Sequence, residues 1–409
     1  MVPDESVKNF RPSQKSYFPE VDGLRGVAIL LVLWYHAPFL FRNLPEFSAE
    51  QTPWSMLGLV GRMSLGGWVG VDLFFVISGF LITLILLRVK ESAGSSVAFW
   101  GRRGLRILPL AFLYLAVLIG LTSIGDPLNM ISSFDEWAWY ALYLGNIHIA
   151  MYGWQPLAVM ILWSLAIEEQ FYLIWPFIVR LCTADQLLRW SLALIVIAPL
   201  ARALMLSAGT DYPAIYVLTF CRVDALAAGA IMAVLYSSGR WQQHMASSKR
   251  LAVPALVMIM LTLLVPFSPS LSQTRPWFFS VFGYSWLAIS FAIVLGASLD
   301  IQGRMRAVLT SRVLTFLGSR CYGLYLWHVV AAACVVAAAQ QWKVGFYVHA
   351  LLWIVTLLTL ASASWFFFER PILRFKRFLP YERLPQAQGV SQIITWLPVR
   401  SYSPQKSAP

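Results

Sequence analysis

Charge is scarce in this 409-residue sequence: 12% of the residues are Asp, Glu, Lys or Arg, against 59% that are hydrophobic. A soluble chain carries roughly a quarter charged residues. A soluble globular domain is therefore excluded, and the apolar runs leave no room beside them for one of ordinary size. Cysteine is scarce too. Cys182, Cys221, Cys321 and Cys334 lie in or beside apolar runs and form no CxxC pair, which argues for free packed thiols rather than a disulfide framework. No metal site is expected. No cleavable signal peptide is expected, because a polar start precedes the first apolar run, which reads as a retained helix. No internal repeat is evident. The net charge of +12 would suggest nucleic acid if it were clustered. Its basic residues instead sit in short loops between apolar runs, as topology signals with scope for an anionic ligand. No nucleic-acid partner is expected.

What is present is a succession of apolar runs near 24–41, 68–87, 105–121, 157–181, 187–207, 214–236, 251–267, 277–298, 321–339 and 346–368. Each is long enough for a membrane helix. The expected fold is all-α and polytopic, with about ten transmembrane helices over residues 21–377, between tails at 1–20 and 378–409. Basic clusters follow every even-numbered span: Arg88 to Arg106, Arg180 with Arg189, Arg240 to Arg250, Arg304 to Arg312, and Arg370 to Arg377. They share one side, which should be cytoplasmic, with both termini there. Arg42, Arg62 and Arg275 are sparse exceptions. Residues 134–154 are aromatic and moderately apolar. Counted as an eleventh span, they would reverse every later loop, so they read as a re-entrant or interfacial segment. Trp137, Trp139, Tyr140, Tyr143 and Trp154 suit an interfacial aromatic belt or, alternatively, a stacking platform for a sugar ring.

Ionisable groups inside these spans are the functional signal. A charged side chain at the centre of a membrane helix costs about 2.5–3.5 kcal/mol on insertion scales. The run 157–181 nevertheless holds Glu168 and Glu169 at its middle. Adjacent helical residues point about 100° apart, so only one aims straight into a site. Ser164, Glu168 and Tyr172 make one polar stripe at four-residue spacing, with Trp163 at its start. The first span carries Arg25 at its edge and His36 eleven residues later, roughly 16 Å along a helix. Asp72 lies in the second span, Arg222 and Asp224 near the middle of the sixth, and Tyr325 and His328 in the inner half of the ninth. Such groups are stable only by meeting each other or water. Alone, His36 fits a satisfied buried histidine as well as a catalytic one; in this company it reads as catalytic. In the loop at 101–109, Arg103 and Arg106 share a helical face, and arginine forks suit phosphate oxygens.

Taken together these pieces resemble the acyltransferase-3 family of integral-membrane acyltransferases over roughly residues 18–377. They are Arg25 followed by His36; GWVGVDLFFVISGFLIT at 67–83; Arg103-Gly104-Leu105-Arg106; WSLAIEEQFYLIWP at 163–176; Phe220-Cys221-Arg222-Val223-Asp224-Ala225-Leu226; and Gly323-Leu324-Tyr325-Leu326-Trp327-His328. The resemblance implies ten membrane helices in the cell inner (plasma) membrane. It also implies a cytoplasmic acyl-CoA donor, usually acetyl-CoA, and an acceptor hydroxyl outside, commonly on a cell-envelope polysaccharide or lipopolysaccharide. Some members carry an SGNH-hydrolase-like domain after the membrane part. This sequence ends at residue 409, soon after Arg377, and is expected to lack one, so a separate protein would have to supply it where transfer needs it.

On this reading His36 is the general base on the acceptor hydroxyl, and Glu168 or Asp72 orients its ring, as the acid does in a catalytic triad. An acyl-histidine intermediate stays open. Arg103, Arg106 and Arg25 are expected to bind the donor, with His328 lower and close to it, contacting CoA or bracing helices. Arg222, Asp224, Tyr172, Tyr325 and Trp163 are candidate substrate contacts. The expected partners are acyl-CoA, a carbohydrate or glycoconjugate acceptor and membrane lipid. Two other readings remain: a transporter or flippase of a lipid-linked glycan, and an acyltransferase acting on a small secreted metabolite such as a macrolide sugar.

Overall fold

In a computed structural model, residues 17–40, 64–92, 94–123, 134–264, 277–339 and 346–381 are described, and all regular structure among them is helical. In chain order the helices are α1 (Pro19–Leu40), α2 (Val69–Val89), α3 (Ser95–Ser123), α4 (Phe134–Ala141) and α5 (Gly145–Tyr152). They continue with α6 (Leu157–Leu181), α7 (Ala184–Ser207), α8 (Tyr212–Ser237), α9 (Trp241–Leu264) and α10 (Phe279–Leu299). Then follow α11 (Gly303–Leu309), α12 (Arg312–Ser319), α13 (Cys321–Ala339) and α14 (Phe346–Ser364). All ten expected spans coincide with helices. Eight described helices are long and apolar enough to cross a membrane. The other two expected spans are α1, which carries Glu20, Asp22 and Arg25 in its first turns, and α9, which is apolar over Arg250–Leu263. Arg42, Arg62, Arg275 and most of both expected tails lie outside the described residues. The four cysteines are free.

The helix ends follow local rules. α1 opens on Pro19 with Glu20 and Asp22 in its first turn, a fixed φ and acidic groups where the helix leaves N–H groups unpaired. Thr183 and Gln186 form a capping box at the start of α7, satisfying two such donors reciprocally. Pro109, Pro176, Pro199 and Pro254 lie inside helices, which membrane helices tolerate when neighbours re-satisfy the freed backbone. The aromatic segment does not span. It breaks into α4 and α5 at Tyr143, whose φ is 57°, and each half has 8 residues, too short to cross a bilayer. Gln170 Nε2 donates to the Tyr143 carbonyl at 2.9 Å and to Asn146 Oδ1 at 3.0 Å, tying the break to α6.

Glycine sets the closest helix crossings. A Cβ on Gly79 of α2 would lie 1.9 Å from the Leu226 carbonyl of α8, and one on Gly229 would lie 2.0 Å from the Val76 carbonyl. Each helix presents its glycine to the other's backbone, the small-residue packing that membrane helices use in place of a hydrophobic driving force. The same device joins α1 to α12, where a Cβ on Gly318 would meet the Asp22 carbonyl at 1.8 Å.

Two buried ion pairs brace this packing. Arg222 donates to Asp72 at 2.7 Å and lies over the Tyr284 and Tyr216 rings at 4.1 and 4.8 Å. Arg202 of α7 donates to Asp224 at 3.0 Å and to Ser285 at 2.7 Å, and Ser285 donates to the same carboxylate at 2.7 Å. The carboxy-terminal basic stretch folds back on α3: Arg102 donates to the Leu379 carbonyl at 3.0 Å and lies over the Tyr381 ring at 5.1 Å. Burial raises the Tyr381 phenol above its ordinary value, so it stays neutral beside that guanidinium.

Candidate active site

Two chambers lie in series within the helix bundle and share Val71 and Tyr325 as a common wall. The inner one is lined by Arg25 of α1, by Phe74, Phe75 and Ser78 of α2, and by Arg103, Arg106 and Ile107 of α3. Ser164, Leu165 and Glu168 of α6 and Cys321 and Tyr322 of α13 complete it. The outer one is lined by Val32, Tyr35 and His36 of α1 with Trp68, Trp154, Met160, Ile161, Trp163 and Tyr216. Arg25 and His36 thus belong to different chambers of one tunnel-like sequence of cavities, separated by the eleven residues of α1 that the spacing anticipated.

The inner chamber is cationic. Arg103 lies 3.7 Å from Glu168 and 4.1 Å over the Tyr172 ring. Ser78 and the Tyr172 hydroxyl donate to the two oxygens of Glu168 at 2.9 and 2.7 Å, and Trp100 Nε1 holds the Tyr172 carbonyl at 2.9 Å. Arg25 has Asp22 at 3.5 Å. Arg106 lines the chamber with no carboxylate partner among the described residues. Lys376 stands close enough to Arg102, Arg103 and Arg106 to feel their charge, which with burial works against its own. The lining thus holds three guanidiniums and one carboxylate, with Asp22 on Arg25, and an anion with several oxygens can be held by forks from two sides.

The outer chamber carries no Asp, Glu, Lys or Arg in its lining. Its walls are aromatic, with His36 as the titratable nitrogen base. His36 Nδ1 lies 3.0 Å from Nε2 of His328, and Nδ1 of His328 lies 2.5 Å from the Tyr325 carbonyl. Both rings are buried. Trp353 of α14 donates to the His328 carbonyl at 2.9 Å. In the shared wall, the Tyr325 hydroxyl donates to the Ile161 carbonyl at 2.7 Å and lies 2.9 Å from the Ser164 hydroxyl.

Several sequence-based assignments are relocated by this geometry. The ring partner of His36 is His328, not Glu168 or Asp72. Glu168 faces the inner chamber with Arg103, and Asp72 is engaged by Arg222. The His328 ring lies 3.0 Å from His36 and is not among the residues lining the inner chamber. Arg222 and Asp224 line neither chamber; both are closed into ion pairs, the second with Arg202, which sequence reasoning did not single out. Arg103, Arg106 and Arg25 do converge, and Tyr325 and Trp163 line the outer chamber as substrate contacts would. Tyr172 contacts Arg103 and Glu168 instead. Of the aromatic segment, Trp154 reaches the outer chamber, while Trp137 and Tyr140 are packed into the core. Ser78, Cys321, Trp68, Tyr216 and Lys376 are site residues with no sequence signal beyond ordinary membrane-helix composition or a basic flank.

An acyltransferase-domain family model matches residues 18–369. The chain is 30% identical over 393 residues to a putative peptidoglycan O-acetyltransferase of Bacillus subtilis, covering 90% of this chain and 56% of that protein. It is 26% identical over 382 residues to the peptidoglycan O-acetyltransferase OatA of Listeria monocytogenes, covering 90% and 57%. A putative O-acetyltransferase of Staphylococcus aureus is 26% identical over 373 residues, covering 87% and 57%. The chain thus spans a little over half the length of the curated relatives it matches. No solved structure matches it significantly.

Proposed function

The chain belongs to the acyltransferase-3 family of membrane proteins, and on that premise we propose that it moves an acetyl group from acetyl-CoA to a hydroxyl of a carbohydrate on the far side of the membrane. The observation that carries this reading is the pair of chambers with one wall in common, the inner cationic and the outer uncharged and aromatic. A donor with a multiply charged phosphate end and a thin thioester arm suits the first. A sugar ring, which stacks on aromatic faces and exposes hydroxyls at its edge, suits the second. The names of the relatives direct attention to peptidoglycan within the carbohydrate class.

Arg103, Arg106 and Arg25, with Lys376 behind them, hold the donor phosphates by charge-assisted hydrogen bonds. Glu168 is the internal counter-charge that keeps Arg103 extended on Tyr172. The pantetheine arm passes Ser78 and Ser164, and the thioester carbonyl comes to the wall at Val71 and Tyr325. An acceptor hydroxyl enters among Trp154, Trp163, Trp68 and Tyr216. His36 removes its proton as the oxygen attacks the thioester carbon. The new C–O bond forms, the C–S bond breaks, and the proton passes from His36 to the departing CoA thiolate. Both substrates are held in one geometry, which converts a bimolecular reaction into an effectively unimolecular one.

The test uses purified protein in nanodiscs with radiolabelled acetyl-CoA and soluble peptidoglycan fragments. Label should appear in the glycan as an alkali-labile ester, with one CoA thiol released per ester. Binding of CoA without thioester turnover, with any envelope glycan supplied, would contradict the reading and favour a transporter.

A further inference from the structure

The membrane carboxylates do not support His36, and the structure supplies something else in their place. Histidine offers two ring nitrogens, and in the neutral ring one donates and the other accepts; which does which is set by their partners. The Tyr325 carbonyl oxygen can only accept. It lies 2.5 Å from Nδ1 of His328, so that nitrogen carries the proton. Nε2 of neutral His328 is then bare and accepts, and it lies 3.0 Å from Nδ1 of His36. That nitrogen must in turn carry its proton and donate. Nε2 of His36 is left bare, and it has no hydrogen-bond partner among the described residues. One backbone carbonyl, through one intervening ring, thus dictates the protonation pattern of the residue that lines the outer chamber.

We propose that His328 is the positioning residue of the reaction: it fixes His36 in the Nδ1–H tautomer, so that Nε2 is the base for the acceptor hydroxyl. The inference rests on the acetyl-transfer reading only for what the base is used for; the tautomer stands on the geometry alone. When His36 Nε2 takes the acceptor proton, the Nδ1 proton can move along the 3.0 Å contact to His328, whose far N–H is already held by Tyr325. The positive charge is then shared by two rings and the carbonyl, and the proton returns along the same contact as His36 Nε2 protonates the leaving thiolate. Setting the tautomer is what the acid does in a Ser-His-Asp triad, without itself taking the proton; here a neutral histidine and a backbone carbonyl set it. The reverse pattern, with His328 donating from Nε2, would require its Nδ1 to face the Tyr325 carbonyl without a proton or the ring to be charged. The helix supports the arrangement from behind, because Trp353 of α14 donates to the carbonyl of His328 itself at 2.9 Å and so holds the backbone on which both Tyr325 and His328 stand.

Three substitutions separate positioning from packing. His328→Phe keeps a ring and removes the acceptor. Gln carries its carboxamide near the place of Nε2 and can accept from His36; Asn carries its own near the place of Nδ1 and cannot reach. His328→Phe should lower kcat by about 100-fold or more, within the range of a lost base, with acetyl-CoA affinity within about threefold of the parent. His328→Gln should recover at least about tenfold over His328→Phe, and His328→Asn should recover nothing. Equal losses in all three, or near-normal turnover by His328→Phe, would overturn the proposal. If His328→Phe does not fold, the Gln and Asn pair still decides it. A second measurement needs no turnover: the chain has 5 histidines, few enough for nitrogen-15 NMR of histidine-labelled protein, with the His36 signals assigned by their loss in His36→Gln. The expected pattern is a protonated Nδ1 and a bare Nε2 at His36. The opposite tautomer would overturn the proposal whatever the enzyme acetylates. The expected tautomer in a protein that never turns over acetyl-CoA would instead contradict the transfer reading and leave the positioning geometry intact.

Discussion

Asp72→Asn is expected to damage the fold while sparing the chemistry of the protein that remains folded. Asp72 and Arg222 are both fully buried and meet at 2.7 Å, inside the α2–α8 crossing where Gly79 and Gly229 bring the backbones together. Removing one charge of a buried pair costs about 3–5 kcal/mol, because the other is left without compensation. Here the guanidinium also lies on the Tyr284 and Tyr216 rings at 4.1 and 4.8 Å, each contact being worth about 0.5–2 kcal/mol, and asparagine retains an acceptor oxygen. The loss should therefore fall at the low end, about 3 kcal/mol. At about 2 °C per kcal/mol for a large domain, the midpoint of thermal unfolding in detergent should fall by about 6 °C. The double variant Asp72→Leu/Arg222→Met should recover most of it, since apolar replacement of a whole buried pair is often neutral or stabilising. The assay is a thermal unfolding series on the parent, Asp72→Asn and the double variant, with turnover normalised to folded protein. A stable Asp72→Asn protein with a hundredfold loss of turnover would refute the structural role and return Asp72 to the catalytic group.

Other consequences are as direct. Arg106→Ala should weaken acetyl-CoA binding by about 1.5–3 kcal/mol, the range for a lost hydrogen bond to a charged group, with Arg106→Lys recovering part of it because the fork is lost but the charge kept; titration calorimetry on folded protein measures both. Gly79→Ala should cost about 1–3 kcal/mol as overpacking, since the new methyl group meets the Leu226 carbonyl at 1.9 Å, and should reduce the yield of monodisperse protein after extraction. If the basic clusters mark the cytoplasmic side, as expected, the turn between α8 and α9 lies there, and a cysteine introduced at Ser238 should resist an impermeant maleimide until cells are permeabilised; labelling of intact cells would reverse the topology.

The ten spans were legible because membrane helices announce themselves by length and apolarity, and because basic loops constrained the count. The aromatic segment was correctly withheld from that count, but its division at Tyr143 depends on a positive φ held by Gln170, which no periodicity reveals. The inner chamber was legible through Arg103 and Arg106, whose spacing puts both on one helical face. Pairing was not legible. Six ionisable groups at membrane depth look alike in a sequence, yet in the structure Asp72 pairs with Arg222 and Asp224 with Arg202. The decisive partner of Asp224 is Arg202, on a helix that gave no signal. The neighbour of His328 was equally hidden. Its contact with His36 joins positions 292 apart in sequence, and only the packing of α1 against α13 brings them together.

The most direct test of the two-chamber account is transfer across a sealed membrane. The protein is reconstituted in liposomes with peptidoglycan fragments trapped inside and labelled acetyl-CoA supplied outside. The account predicts alkali-labile label on the trapped glycan, CoA thiol released only outside, and loss of the signal by 10²-fold or more in His36→Ala, the contribution of a positioned base, with donor binding retained. Label confined to the donor compartment, intact acetyl-CoA inside, or near-normal transfer by His36→Ala would contradict it.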